Sequence, residues 1–166
     1  MISRRRGRAR VSIPRFSTTL QGENTVIDVT VQRELPVSAD KAWALISDFG
    51  DISWAPGMDK VEVTGEGPGM IRAIHMPGDT PPIEERLESL DHDNRVMEYT
   101  IPKGMPMPLT GYRATAKVVP LDDDSCRVDW SCRAQEVGVS PQEAEAMAAG
   151  VYNQLLDWIA EELDRR

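Results

Sequence analysis

Cysteine and histidine are scarce in this chain, which has only two of each among 166 residues. Cys126 and Cys132 stand at the two ends of one alternating segment, CRVDWSC, which is typical of a β-strand. Six strand residues span about 20 Å, far beyond the roughly 7 Å limit between the Cα atoms of a disulfide. We therefore expect two free thiols. His75 and His92 occur singly, without metal-ligand spacing, so the sequence predicts no metal and no other cofactor.

Long apolar runs and nucleotide-binding motifs are also missing. No stretch approaches the roughly 18 to 20 apolar residues of a transmembrane helix, and the basic N-terminus is not followed by the apolar segment of a secretory signal. We expect a soluble, cytoplasmic protein that does not insert into membranes. Neither a P-loop nor the G-x-G-x-x-G or G-x-S-x-G motif is present, and the glycines of GEGPG (65–69) join two predicted strands.

The two charge signs are unevenly distributed along the chain. Residues 1–15 contain six arginines and no acidic residue, whereas residues 16–166 contain 13 basic and 27 acidic residues, a net charge of −14. Such a body repels phosphate backbones, so nucleic acid is not an expected partner of the domain. We interpret residues 1–24 as a disordered or loosely attached arginine-rich extension, although contact with RNA or an anionic membrane stays open for it.

Residues 25–166 have the periodicity of a single domain. An alternating strand, TVIDVTVQREL (25–35), is followed by Ser38, which is suited to cap a helix whose apolar residues end at Phe49, and by a loop or second short helix near Trp54. Gly, Pro and Asp/Asn turns then separate six predicted strands. These strands are DKVEVTG (59–65), GMIRAIHM (69–76), PIEERLESLD (82–91), NRVMEYTI (94–101), LTGYRATAKVVP (109–120) and SCRVDWSCRAQ (125–135).

A long C-terminal helix is the most clearly signalled element. Ser140, Pro141 and Glu143 form a capping box with proline at the first helical position. A helix of some 25 residues is about 37 Å long, enough to cross a whole sheet. Its apolar stripe comprises Ala144, Met147, Ala148, Val151, Leu155, Trp158, Ile159 and Leu163.

Three segments, ERLESLD (85–91), LTGYRATAKVVP (109–120) and AAGVYNQLL (148–156), resemble the START-like, or birch-pollen-allergen-like, superfamily (SRPBCC), which includes the polyketide cyclase/dehydrase and lipid transport family. The order of elements over about residues 25–165 agrees with this resemblance. It implies an α+β helix-grip fold, in which a curved antiparallel sheet of about seven strands wraps a long C-terminal helix and two short helices follow the first strand. It also implies an apolar cavity whose mouth is framed by loops 76–82 and 102–108. Met107 and Pro108 stand where the related abscisic-acid receptors have His-Arg, so hormone sensing is not implied.

Glu85 is the first candidate site residue. Strand alternation places it with Ile83, Leu87 and Ser89 on the apolar face of PIEERLESLD, and the resemblance places the glutamate of E-R-L inside the cavity. Burial disfavours the charged form of a carboxylate, and groups of this kind serve as acids or bases. A structural carboxylate that is paired with an arginine or reaches water is the alternative.

Arg72 and Tyr112 complete the tentative catalytic or anchoring set. Arg72 lies on the apolar face of a neighbouring strand, where it is suited to neutralise Glu85 or to bind a ligand oxygen, unless its side chain extends to solvent. Tyr112 matches the tyrosine that the resemblance points into the cavity, although core packing is equally consistent with it. Further candidate ligand contacts are Ile74, Met76, Ile83, Leu87, Tyr99, Ile101, Met147, Val151, Gln154 and Leu155.

Three functions are consistent with these residues. The first is binding or carrying a small hydrophobic organic molecule, such as a lipid or polyketide, in the cavity. The second is a cofactor-independent cyclase, dehydratase or isomerase, in which Glu85 moves a proton and Tyr112 or Arg72 stabilises an oxyanion. The third is a protein-interaction adaptor with a filled cavity. The sequence does not indicate the ligand or the oligomeric state.

Overall fold

The computed structural model describes residues 25–166, and the arginine-rich segment 1–24 lies outside the described residues. Seven strands and two helices follow the first described residue. Their bounds are β1 (Val26–Leu35), α1 (Ala39–Ile46), β2 (Lys60–Thr64), β3 (Ile71–His75), β4 (Ile83–Asp91), β5 (Val96–Lys103), β6 (Leu109–Pro120), β7 (Cys126–Glu136) and α2 (Pro141–Arg165).

All seven strands belong to one antiparallel sheet with the order β1-β7-β6-β5-β4-β3-β2. Strands β2 to β7 are therefore a meander of sequential hairpins, and β1 closes the far edge by pairing with β7. Helix α2 packs across β1 and β7, and α1 packs against β6 and β7. This is the predicted α+β helix-grip fold. Within residues 25–166, no helix is both long and apolar enough to cross a membrane.

One short helix, rather than the predicted two, follows β1 in the described chain. Helix α1 begins where predicted, because the Ser38 side-chain oxygen accepts a hydrogen bond from the Lys41 amide at 3.3 Å. The apolar stretch near Trp54 instead forms turns, since Pro56 provides no amide hydrogen and Gly57 has a φ of 88°. Trp54 is nevertheless buried.

Helix α2 has the predicted capping box, but its buried face differs from the predicted stripe. Alanines at positions 144 and 148 face the sheet and allow close approach, so the buried line continues through Tyr152 and Leu156 rather than through Met147 and Val151. Met147 and Val151 are 47% and 48% exposed. These two members of the predicted apolar stripe are therefore not buried against the sheet.

Strand β4 contains two register irregularities, between Glu84 and Arg86 and between Leu87 and Ser89. The second ends the simple alternation that placed Ser89 on the face of Leu87. Leu87 is buried, whereas the Ser89 hydroxyl donates to Glu98 Oε2 at 3.2 Å and the next residue, Leu90, pairs with buried Met97. The bulge thus shifts Ser89 off the cavity face.

Candidate functional site

An apolar cavity of about 240 Å³ lies between the sheet, the chain that follows α1 and one side of α2. Strands β3 to β5 provide aliphatic side chains, the 102–108 loop provides Pro106 and Met107, and α2 provides Val151, Leu155 and Trp158. Cys126 and Cys132 are buried, free thiols of β7 outside this lining. Among residues 25–166, no group of His, Cys, Asp and Glu is arranged to hold a metal ion.

An ion pair between Arg72 of β3 and Glu85 of β4 borders this cavity. These residues are direct cross-strand partners, and Arg72 Nε donates to Glu85 Oε2 at 2.5 Å. Arg72 Nη1 also donates to the Phe49 carbonyl oxygen at 2.8 Å, and the guanidinium carbon lies 4.1 Å from the centre of the Phe49 ring. With 7% and 8% of their surfaces exposed, the two residues are almost fully buried. Each charge therefore has its counter-charge within the protein.

Part of each charged group remains open to the cavity. Among the described residues, neither Glu85 Oε1 nor Arg72 Nη2 has a hydrogen-bond partner, and neither atom is fully enclosed by protein. A bound molecule therefore meets one acceptor and one donor at this position. Because the pair as a whole is neutral, it favours a neutral polar group over a second full charge.

Three tyrosines form a second polar cluster beside the ion pair. The Tyr112 and Tyr152 hydroxyl oxygens are 2.5 Å apart, and the Tyr99 hydroxyl accepts a hydrogen bond from Trp130 Nε1 at 3.2 Å. All three tyrosines line the cavity. The Tyr112 hydroxyl is also hydrogen-bonded to Tyr99, and the Tyr152 hydroxyl is also hydrogen-bonded to Cys132. The three phenols therefore form one chain of hydroxyl groups, and one of them can donate to a ligand oxygen by turning its hydrogen away from its neighbour.

Burial is the main cause that raises the pKa of Tyr99, Tyr112 and Tyr152 above the ordinary tyrosine value. The negative charge of Glu85 contributes further to the raised pKa of Tyr99. The three phenols are therefore neutral hydrogen-bond donors at ordinary pH. None of them is suited to act as a base.

The sequence-predicted residues fall into three groups. Those that line the cavity are Arg72, Ile74, Met76, Ile83, Glu85, Tyr99, Ile101, Tyr112, Val151 and Leu155. Leu87 does not contact the cavity, because it is 1% exposed in the core beneath the wall. Met147 and Gln154 are also not in the cavity, since they line a separate groove on the outer side of α2.

Several lining residues were not predicted as ligand contacts. Trp54, Trp130 and Trp158 were not among the predicted contacts, yet each borders the cavity. Tyr152 was also missed. Tyr152 could have been found from its spacing of four residues from both Ala148 and Leu156, which places it on the buried face of the helix.

The chain belongs to the family described as polyketide cyclase / dehydrase and lipid transport, whose model matches residues 26–164. A search of curated proteins gives no significant match.

Solved structures with this fold come from bacteria and plants. An uncharacterized protein from Bacillus thuringiensis is 28% identical, with 82% of this chain and 98% of that chain covered and a TM-score of 0.73. The protein XoxI from Bacillus cereus is also 28% identical, with coverages of 82% and 94% and a TM-score of 0.72. Norcoclaurine synthase from Thalictrum flavum, in complex with dopamine and hydroxybenzaldehyde, is 22% identical, with coverages of 96% and 98% and a TM-score of 0.72. At that identity, the synthase supports the fold alone.

Proposed function

We propose that this protein binds a small, largely apolar and neutral organic molecule that carries an oxygen atom. The observation that carries the proposal is an apolar cavity in which Glu85, Arg72 and the tyrosine cluster line the same space, with the exposed Asp48 as a further charged residue of the lining. Apolar walls with a few convergent polar groups are the usual composition of small-molecule sites. Membership of a family described by cyclase, dehydrase and lipid transport activities supports the same conclusion.

The chemistry of the cavity favours a carbonyl or hydroxyl oxygen over a carboxylate. Glu85 already neutralises Arg72, so a carboxylate in the cavity would lack a counter-charge of its own. The neutral phenol hydroxyls of the tyrosine cluster instead suit an uncharged acceptor oxygen. Because the cavity has a volume of about 240 Å³, we prefer this function to that of an adaptor with a filled cavity.

Thermal shift and native mass spectrometry, with a panel of neutral phenols, aryl ketones and terpenoid alcohols beside their carboxylate analogues, test this proposal. We expect stabilisation by neutral members and little by the carboxylates. An Ile74→Phe variant, which fills the cavity, should lose the shift, whereas Leu121→Phe, at a position 47% exposed and outside the cavity, should retain it. No shift with any compound, or equal shifts in both variants, would contradict the proposal.

A second candidate function is a cofactor-independent cyclase, dehydratase or isomerase. The open Oε1 atom of Glu85 beside neutral phenol donors favours it, because a proton acceptor and oxyanion donors then face the same space. Glu85 would remove or return the proton, and Tyr112 or Arg72 would stabilise charge on the substrate oxygen. A Glu85→Gln variant that binds the same aryl alkyl ketone, but no longer catalyses exchange of the hydrogen α to its carbonyl with deuterated solvent, would support this activity. Unchanged exchange in the variant would exclude Glu85 as the base.

A further inference from the structure

An apolar groove runs along the outer side of α2, next to the cavity. It is lined by Pro106 and Met107 of the 102–108 loop and by α2 residues, and its volume is about 510 Å³. Only this groove contacts Met147, Gly150 and Gln154. With Met147 and Val151 almost half exposed, the groove leaves apolar surface in contact with solvent.

The groove and the cavity share a wall. Five residues line both spaces, and they come from the loop and from α2: Pro106, Met107, Val151, Leu155 and Trp158. Every one of these side chains is largely apolar, and Met107 is flexible, so the wall presents no charged group between the two spaces. The polar cluster of Glu85 and the tyrosines lies on the cavity side only.

The sizes of the two spaces indicate what occupies them. A cavity of about 150 Å³ holds a benzene molecule, so the interior space of about 240 Å³ accommodates one ring with small substituents. Sites for larger organic ligands enclose roughly 300–1,000 Å³. A longer ligand that places its oxygen at the polar cluster extends beyond the cavity, and the groove is the apolar space that shares a wall with it.

We propose that the cavity and the groove form one bipartite site for a ligand with an oxygen-bearing head and an apolar arm, in which the head binds inside and the arm lies along α2 between Met107 and Met147. This inference rests on the proposed function of the cavity. It adds the groove as a second subsite and makes the length of the ligand a determinant of affinity.

Gly150 provides a clean way to fill the groove. It is a helical glycine, and an added Cβ atom meets no other atom within 4 Å, so a larger side chain there points into open space without a backbone clash. Replacing an exposed helical glycine also favours the helix, so the variant is expected to fold. Glu145→Leu, which adds the same side chain at an exposed α2 position outside the groove, is the matched control.

The test measures dissociation constants of para-alkylphenols, from methyl to octyl, for the full chain and both variants. Burial of each further methylene raises affinity about three- to fourfold, so affinity of the wild type and of Glu145→Leu should keep rising after the interior is full. Gly150→Leu should bind the phenols with short alkyl chains as the wild type does. Its affinity should stop rising at the chain length at which the alkyl arm reaches the groove.

Two results would overturn the inference. The first is the same plateau in the wild type and in Gly150→Leu, which would mean that the arm never enters the groove. The second is a wild-type dimer that Gly150→Leu converts to a monomer in sedimentation, which would assign the groove to a second copy of the chain. If even methylphenol and the other short members fail to bind the wild type, the proposed function of the cavity fails instead.

Discussion

At the scale of single residues, the main feature is the buried ion pair of Arg72 and Glu85 in the cavity wall. Each is almost fully buried, so each would be strongly unfavourable without the other. A buried ion pair adds little net stability compared with a well-packed apolar pair, whereas loss of one partner leaves an uncompensated charge. Under the proposed function, this charged pair serves contact with the ligand rather than stability.

The first prediction separates these two roles. Glu85→Leu should lower the free energy of unfolding by about 3 kcal/mol, because the Arg72 guanidinium then stays buried with the Phe49 carbonyl as its remaining partner. The double variant Arg72→Met/Glu85→Leu should recover most of that loss in urea denaturation but should not bind neutral phenols. If the double variant is as unstable as the single one, the pair contributes to stability in its own right.

The second prediction concerns the hydroxyl of Tyr152. In Tyr152→Phe, Tyr112 loses the partner at 2.5 Å, and stability should fall by about 1 kcal/mol, the usual net contribution of one hydrogen bond. Ligand affinity should also fall, because the hydroxyl pair no longer fixes the direction of the donor. Val128→Ala, in the same core but outside the cavity lining, serves as a control for general loosening. Equal loss of affinity in both variants would contradict a specific role of the hydroxyl.

At the scale of secondary structure elements, the main feature is the close contact between the 76–82 loop and the 102–108 loop. Gly104 follows β5 with a φ of 72°, and a Cβ atom placed there would lie 2.4 Å from the carbonyl oxygen of Pro82 in the 76–82 loop. Backbone atoms of one loop thus occupy the space that any other side chain would need. This contact fixes the separation of the two loops that follow β3 and β5.

The third prediction follows from that contact. Gly104→Ala should destabilise the protein by at least 1 to 2 kcal/mol and should speed ligand exchange, because positive φ and the clash both force the loops apart. Gly111→Ala is the matched control, since Gly111 has a φ of 62° but open space around its Cβ position. Stopped-flow release of a bound phenol measures the difference. Identical release rates in the two variants would show that the loops do not control exchange.

The helices and strands were largely predictable from the sequence. Which face of an element is buried was less predictable. Alternation and turn residues identified all seven strands, and the capping box at Ser140 located the start of α2. The buried face of α2 was misjudged because the sequence does not show that small alanines, rather than larger apolar residues, approach the sheet. The β4 bulge at Ser89 also depends on pairing with β5, which is a long-range property.

The site was predictable only where a residue contrasts with its neighbours along the sequence. Arg72 and Glu85 were identified because each interrupts an apolar strand face, and cross-strand pairing then brings them together. Tyr152 and the tryptophans show no such local contrast, since an aromatic residue on an apolar face has the same pattern in a core and in a cavity wall. Only the packed arrangement distinguishes the two.

At the scale of the whole molecule, all three tyrosines lie in one buried cluster. Their ionisation can therefore report global unfolding. The folded protein raises the pKa of each above the unfolded value of about 10, chiefly by burial. Below that pH both states keep the phenol protons, and the contribution to stability is complete. As pH rises above it, the unfolded state releases protons that the folded state retains, and stability decreases.

The fourth prediction is therefore an alkaline transition that couples ionisation to unfolding. Above about pH 10, each buried tyrosine should lower the free energy of unfolding by about 1.4 kcal/mol per pH unit. Phenolate absorbance and loss of circular dichroism should appear together, at one midpoint. Tyr99→Phe should lessen the slope by one proton, whereas Leu121→Phe, at an exposed turn, should leave it unchanged. Phenolate that forms near pH 10 while circular dichroism stays native would mean that the cluster is open to water and unsuited to hold a ligand oxygen by neutral donors.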